Sequence, residues 1–490
     1  MLPHALVASA RARAIAENRP VLVSFTERAP AFDPLVVLET VARDSSFNGL
    51  ADDVGAGMMY WTRPSDGFAL AGIGAVATLT ATGIDRFASI DQAWRDLLAG
   101  ALTGGDSDAV GPVLMGGFAF EPDRPLSRAW REFPSAHMIV PRIQLTASAG
   151  ICSTTISLIV AADGEPDVDV GALIELRRTI VESQSTVSDN AAVTDDAVDA
   201  PVFRDSLPPE EWRAMVATAV NDIRAGGLEK VVLARAVETS TQRDMDVFAL
   251  LHLLRGAHKS SFVFGYWRGE SAFVGASPER LVRLDGRDVR ASSLAGTARR
   301  GKTPQEDAVL ADELRASAKD QAEHATVRES LRSKLAEVCE DVTAADTPAL
   351  LTLPHVHHLH TGVTGKLRGG NSLLDLVGRL HPTPAVGGTP REKALEFIRV
   401  NERLDRGWYA GPIGWVARER GEFAVGLRSG VINGNEATLF AGCGIVADSN
   451  PERELEESIL KLQPMQTAIA AALVATTSDS TIVAGLERLQ

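Results

Sequence analysis

Residues 441–462 read AGCGIVADSNPERELEESILKL, a strand, a turn and a helix in succession. The strand is built of small residues and carries Gly442 and Gly444. Glycine has no Cβ, so a ligand can come close to such a backbone. Ser449-Asn450-Pro451 reads as a turn, with proline at the first helical position, where its missing N–H is harmless. In the helix that follows, Glu454 and Glu457 are three residues apart and share a face. Lys461 lies one turn beyond Glu457 on the same side. Two carboxylates on one face suit a cation, and Mg2+ is the usual choice where oxygen ligands stand alone. The same pattern also describes a solvated acidic helix with an ordinary i,i+4 Glu–Lys pair.

The chain around this stretch has 490 residues and a net charge of −15, with 45% hydrophobic and 23% charged residues. Length alone suggests about two to four domains, and the hydrophobic fraction supplies a large core. The acidic balance argues against non-specific binding to nucleic acid or an anionic membrane, while a local basic pocket can still take a small anionic substrate. Cys152, Cys339 and Cys443 are far apart and lack C-x-x-C spacing, which fits a reduced protein without a disulfide framework or thiolate metal site. No apolar run approaches the roughly 18 residues of a transmembrane helix, and Arg and Glu interrupt the first residues before a secretory run develops. The expectation is a soluble, cytoplasmic protein.

Upstream, a helix at 5–18 and a strand at 21–25 lead into strands at 58–62, 68–82, 113–120, 138–147 and 152–162, interrupted by a helix near 90–102. A helix at 171–184 precedes STVSDNAAVTDDAVDAP (185–201), which is small, acidic and aperiodic and reads as a surface loop. A helix from Pro208 to Ala225 opens the second half. Then come the buried strand LEKVVLARAVETS (228–240), a helix at 245–257, the strands SFVFGYW and SAFVGAS, and a hairpin at Asp285-Gly286. Thr303 with Glu306 forms a capping box for one long helix from Pro304 to Glu340. A strand pair around 350–367, a helix at 371–379, a Pro/Gly-rich loop at 381–390, a helix through 391–405 and strands at 409–443 complete the series, and the Ala-rich tail from 464 reads as helical. Strand runs with segregated helices make the fold α+β.

Several side chains could carry chemistry. Asp320 and Glu323, within KDQAEH, form a second carboxylate pair on one helical face. If the two acidic faces meet, they make an oxygen-rich Mg2+ site; if not, both are solvated. Lys230 precedes an apolar strand, where it is either a base or a lysine snorkelling from a strand end. Glu279, after Pro278 in GASPERL, is either a proton-holding acid or a turn glutamate. On a strand His355 and His357 would share one face and His358 and His360 the other; imidazole suits zinc or copper, but no cysteine accompanies them. Gly296 to Thr303 matches G-x-x-x-x-G-K-T, but no continuous apolar strand precedes it, and Pro304 interrupts the helix start where Lys302 and Thr303 would belong.

Together EKVVLAR, GASPERL, LAGTARRG, KDQAEH, HHLHT, LHPTPAVGGTPR, RGWYAGPIGW, GEFAVGLRS and AGCGIVADSNPERELEES form an ordered set that resembles the chorismate-utilising enzymes, and among them the isochorismate synthases. The resemblance covers roughly 205–465 and is weaker in the N-terminal half, in pieces such as GFALAGIGA and GGFAF. It implies a single large α+β domain with an extended antiparallel sheet core, outer helices and the site in a cleft. Residues 1–184 would add to the sheet framework, 185–204 form an acidic surface loop, 205–465 bind chorismate and 466–490 form a helical tail. The phosphate-loop match then becomes coincidence.

The resemblance also implies roles. Lys230 would be the general base that activates water for attack at C2 of chorismate. Glu279 would be the general acid that protonates the departing C4 hydroxyl. Glu323, Glu454 and Glu457, with Asp320 alongside, would hold Mg2+ and through it the ring carboxylate. Tyr409 and Arg428 would grip the enolpyruvyl carboxylate. Gly296, Thr297 and Gly444 would touch the substrate closely, His358 would lie near the reacting ring edge, and Lys461 would support the carboxylate cluster.

The implied activity is an isomerase reaction, chorismate to isochorismate, feeding menaquinone or siderophore synthesis. LHPTPAVGG (380–388) is closer to the isochorismate synthases than to the salicylate synthases, which would go on to eliminate pyruvate and remain the alternative. The presence of Lys230 separates the chain from the anthranilate-forming enzymes, and no glutamine amidotransferase segment or subunit is expected. A non-catalytic chorismate-binding homologue is the reading of a different class.

Overall fold

Val232 lies opposite Gly444, and Ala234 opposite Gly442, where the antiparallel strands Lys230–Ser240 and Glu436–Ile445 pair. The computed structural model describes residues 2–43, 57–106, 109–123, 127–182, 200–354 and 356–475. From Glu436–Ile445 the pairing passes through Ser429–Asn433, Ser271–Ser277, Phe262–Arg268, Met58–Arg63 and Phe68–Ala81 to Ala136–Ser148. A second course leaves Ala136–Ser148 through Leu114–Phe118, Pro412–Val416, Arg420–Val425, Arg280–Asp285 and Asp288–Arg299 to Val356–Leu367. The described strands join in one sheet, antiparallel throughout except where Val21–Ala29 meets Leu102–Gly105. Strands from the first 184 residues therefore pair with later ones at two places, 58–62 with 263–267 and 114–117 with 413–416.

Side-chain alternation explains the layering. On one strand Met59 and Trp61 enter one apolar cluster while Met58 and Tyr60 enter another, so the sheet carries a core on each face. The first cluster holds Trp130, Phe273 and Trp408, each fully or almost fully buried. Burying such a ring contributes about 1.5–3 kcal/mol.

Two helices bring the acids to the sheet. Ala318–Val338 buries His324, Val327, Leu331, Leu335 and Val338 along one stripe and packs on Asp288–Arg299 and Val356–Leu367. Pro451–Ala475 packs on Glu436–Ile445. No helix among the described residues is long and apolar enough to cross a membrane.

The sequence expectations need four corrections. The long helix is two, Pro304–Ala316 and Ala318–Val338, because Ser317 leaves helical geometry and its hydroxyl accepts from Asp320 N to cap the second. Residues 339–344 form a strand against Val356–Leu367, beginning where the long helix is expected to run on to Glu340. A helix at Pro34–Arg43, absent from the sequence reading, covers the sheet with Leu35, Leu38 and Val41. The helix carrying Glu454 runs unbroken past Pro464 to Ala475, so the expected tail from 466 begins inside it. The rest of that tail, and most of the acidic loop, lie outside the described residues.

Candidate active site

Lys230 opens its strand with only 3% exposure, and its Nζ donates to Glu323 Oε1 at 2.7 Å. Glu323 comes from the first turns of Ala318–Val338 and Lys230 from the sheet, so the contact fixes helix against strand. Burial disfavours the Glu323 anion, but Lys230 beside it, with Lys461 and Lys319 further off, outweighs this and lowers its pKa. Gly444 makes the approach possible. A Cβ there would lie 2.9 Å from Lys230 Cε and 3.0 Å from Glu323 Oε1.

Glu279 follows the strand Ser271–Ser277 and is held by its backbone, its N–H donating to Ser277 Oγ and its carbonyl accepting from Val425. Burial pushes its pKa up to about 8, against the opposing pull of Lys230, Arg428 and Lys461. It therefore holds a proton at neutral pH.

On the helix Pro451–Ala475, carboxylate oxygens of Glu454 and Glu457 lie within 4.8 Å of each other and of the Cys443 sulfur. Burial, then the charge of Glu457, raises Glu454 to about 7. Burial likewise raises Asp320, with Glu323 and Glu457 adding to the effect; its carboxylate accepts from the Ser317 hydroxyl. Crowded acids that repel one another's charge are what a hard divalent cation relieves, so the residues fit Mg2+. Cys443 was not anticipated here. Burial raises its pKa well above 9 and its thiol donates to the Glu454 carbonyl, so it is a neutral neighbour and no ligand for a hard ion.

Lys461 bonds Glu457 at 2.5 Å and the Gly442 carbonyl at 3.0 Å; burial opposes its charge, but Glu457 raises its pKa. His358 is buried and neutral, lowered to about 3 by burial and then by Arg428. The Gly296 carbonyl, 3.0 Å from Nδ1, can only accept, so Nδ1 carries the proton and Nε2 faces Arg428 Nη2 at 3.4 Å as acceptor. His358 thus orients Arg428. Thr297 Oγ1 lies 3.2 Å from the same Nδ1. Gly296 takes φ +75° at a register shift in its strand, a turn glycine accepts without strain, and a Cβ there would press on Asp320. Tyr409 stacks on Phe440 with ring centroids 5.3 Å apart, and burial raises its phenol to about 12. Arg428 adopts φ +49°, an uncommon conformation for a long side chain and the kind that collects at functional sites.

One cleft is lined by every site residue singled out from the sequence except Lys230, which lies behind its wall and reaches it through Glu323. Lys319, Arg406 and Val386 also line it and were not anticipated as site residues, although all three lie within the quoted motifs. Its free space is only about 90 Å3, because paired side chains reach across it. A larger cavity of about 790 Å3 lies farther along the same strands but has none of Lys230, Glu279, Glu323, Glu454 or Glu457 on its walls. The phosphate-loop match forms no cradle, since the N–H groups of Gly301 and Lys302 donate to Asp307 and Glu306. His357 binds Thr352 and Asp307, His360 faces Ser292, and His355 lies outside the described residues. Among those described, the histidines share no metal position.

A family model described as "Chorismate binding enzyme" matches residues 8–470. The isochorismate synthase MenF of Bacillus subtilis is 35% identical over 460 residues, 92% of this chain and 94% of that protein. The salicylate biosynthesis isochorismate synthase of Pseudomonas aeruginosa is 36% identical over 465 residues, 94% and 92% of the two chains. Among solved structures, the menaquinone-specific isochorismate synthase MenF of Escherichia coli superposes with a TM-score of 0.73 at 24% identity, covering 95% of this chain and all of that one, a likeness of fold.

Proposed function

The chain belongs to the chorismate-binding enzyme family, and from that premise we propose that it is an isochorismate synthase, an isomerase converting chorismate to isochorismate for menaquinone or siderophore synthesis. One observation carries the chemistry. A buried carboxyl that keeps its proton, Glu279, shares a cleft with a cluster of acids suited to Mg2+, and one of those acids, Glu323, is bonded to the buried Lys230.

Glu454 and Glu457, with Glu323 and Asp320 alongside, would hold Mg2+, which when bound offsets charge and orients a substrate carboxylate. Lys230 takes the proton from the water that attacks C2. Its contact with Glu323 must open for it to do so. Glu279 delivers its proton to the C4 hydroxyl, which leaves as water while the ring double bonds shift. One water enters and one departs, so the reaction balances as an isomerisation. Hydroxide is a poor leaving group and water a poor nucleophile, hence the need for both residues. Arg428, steadied by His358, would take the enolpyruvyl carboxylate with Tyr409 beside it. Gly442 and Gly444 let Tyr409, and Lys230 with Glu323, lie close against the sheet at the cleft. The enzyme would act without an amidotransferase subunit, in the cytoplasm.

The test is incubation of purified protein with chorismate, with and without Mg2+, and chromatographic separation of products. Mg2+-dependent isochorismate without pyruvate is expected. Salicylate with pyruvate would move the assignment to a salicylate synthase, and no turnover would leave a chorismate-binding protein.

A further inference from the structure

The strand Lys230–Ser240 has one edge fully paired with Glu436–Ile445, but its other edge is covered only at the ends. Gly388–Thr389 pairs with Lys230 and Val231, and Arg204–Asp205 with Val237 and Glu238. In the gap between them several backbone groups find other partners. Val232 N–H donates to the Gly387 carbonyl at 3.0 Å, and Ser206 N–H to the Ala236 carbonyl at 3.1 Å. Two further groups are met by side chains. Ala234 N–H donates to Glu402 Oε2 at 2.8 Å, and the Val232 carbonyl accepts from Arg406 Nη2 at 2.7 Å.

Glu402 and Arg406 are joined by two parallel bonds, Nε to Oε1 and Nη2 to Oε2, both 2.6 Å, with side chains 1% and 4% exposed. The pair offers one acceptor and one donor to the strand edge, as a neighbouring strand would. The planar guanidinium also gives Nη1 to the Val386 carbonyl at 3.0 Å and lies over the Phe120 ring at 4.3 Å. It therefore ties the strand bearing Lys230 to the loop bearing Val386, and both line the cleft.

We propose that Glu402 and Arg406 are positioning residues that stand in for a missing strand and so hold Lys230 in its working place. This rests on Lys230 being the base of the proposed reaction. Lysine at 406 would not serve, since one ammonium cannot reproduce the planar fork that meets two carbonyls and a carboxylate together.

The experiment compares Glu402→Gln, Arg406→Lys and the uncharged double replacement Glu402→Leu/Arg406→Met with the wild type. It measures kcat and KM for chorismate, melting temperature, and amide hydrogen exchange of the peptide spanning 231–236. Exchange in that peptide should quicken about tenfold or more, with the rest of the sheet protected as before. The value of kcat should fall about tenfold or more while KM stays within about threefold, in Arg406→Lys as in the others. The proposal is overturned by a folded double variant or Arg406→Lys enzyme with near wild-type kcat. It is also overturned by exchange that quickens across the whole sheet, or by a double variant that does not fold, since the pair would then serve the fold and not the site. The exchange readout needs no substrate, so it stands even if the wild type leaves chorismate unchanged, an outcome that would instead refute the functional reading.

Discussion

Lys230 Nζ and Glu323 Oε1 meet at 2.7 Å across 93 positions of sequence, a lysine and a carboxylate both largely removed from water. The replacement that tests the base must respect this contact. Lys230→Ala leaves a buried uncompensated carboxylate and should cost about 3–5 kcal/mol of stability. Lys230→Gln keeps a hydrogen-bond donor and should retain more of the fold, while kcat falls by about 10²–10⁴. Melting temperature and single-turnover rates separate the two effects. Near wild-type turnover in the glutamine variant would remove Lys230 from the base role.

Glu279 predicts an alkaline limit to activity. Its carboxyl is protonated below about 8, so kcat/KM should decline as pH rises through that value. The stability consequence has the same direction. The unfolded chain ionises near the ordinary 4.5 and the folded one near 8, so between these values only the unfolded state gives up the proton. The contribution is fully present below the unfolded value and is lost as pH rises through about 8, on the order of 5 kcal/mol in all. Glu279→Gln should lower kcat by about 10²–10⁴ and flatten the fall in melting temperature between about pH 4.5 and 8. A variant with the wild-type pH–stability curve would show that another group titrates.

The acids of the helix Pro451–Ala475 predict proton-coupled metal binding. Glu454 is raised to about 7, so a proton competes with Mg2+ below that pH. Calorimetric Mg2+ affinity should weaken on acidification from pH 8 to 6, by up to about tenfold per pH unit if one proton is displaced. Glu454→Gln should bind Mg2+ more weakly and with a flatter pH dependence. Saturating Mg2+ at a hundred times its Kd should stabilise the wild type by about 2.7 kcal/mol. Identical affinity in the variant would place the metal elsewhere.

The local signals in the chain were strong where a change of backbone coincided with a change of residue type. Gly442, Gly444, Pro451, Glu454 and Glu457 mark strand, turn and helix face, and the structure has each in that role. The break at Ser317 was present as a Ser-x-x-Asp cap to Asp320, but it lay inside a polar helix with little apolar periodicity to flag it. Pairing at long range was not readable. A two-residue period tells which side chains share a face, but it does not say that 58–62 lies beside 263–267. For the same reason the sequence showed two acidic helix faces without showing that they open on one cleft, and it passed over Glu402 and Arg406, whose partners besides each other are backbone groups.

Gly444 gives the sharpest steric prediction. It sits in a strand opposite Val232, with no positive φ, so alanine fits its backbone without strain. The new Cβ would nonetheless fall 2.9 Å from Lys230 Cε and 3.0 Å from Glu323 Oε1, closer than such atoms pack. The lysine must swing aside, which disrupts the ion pair and fills space intended for the substrate. Gly444→Ala should therefore melt within a few degrees of the wild type, since about 1–2 kcal/mol of overpacking is absorbed by a flexible side chain. Its kcat/KM should drop by about 10²-fold or more, because small misplacements of a reacting group are expensive. Lys230→Gln in the Gly444→Ala background should add much less than it does alone, since the two changes act on the same contact. Full additivity of the two losses would mean that Gly444 acts on the substrate directly and not through Lys230.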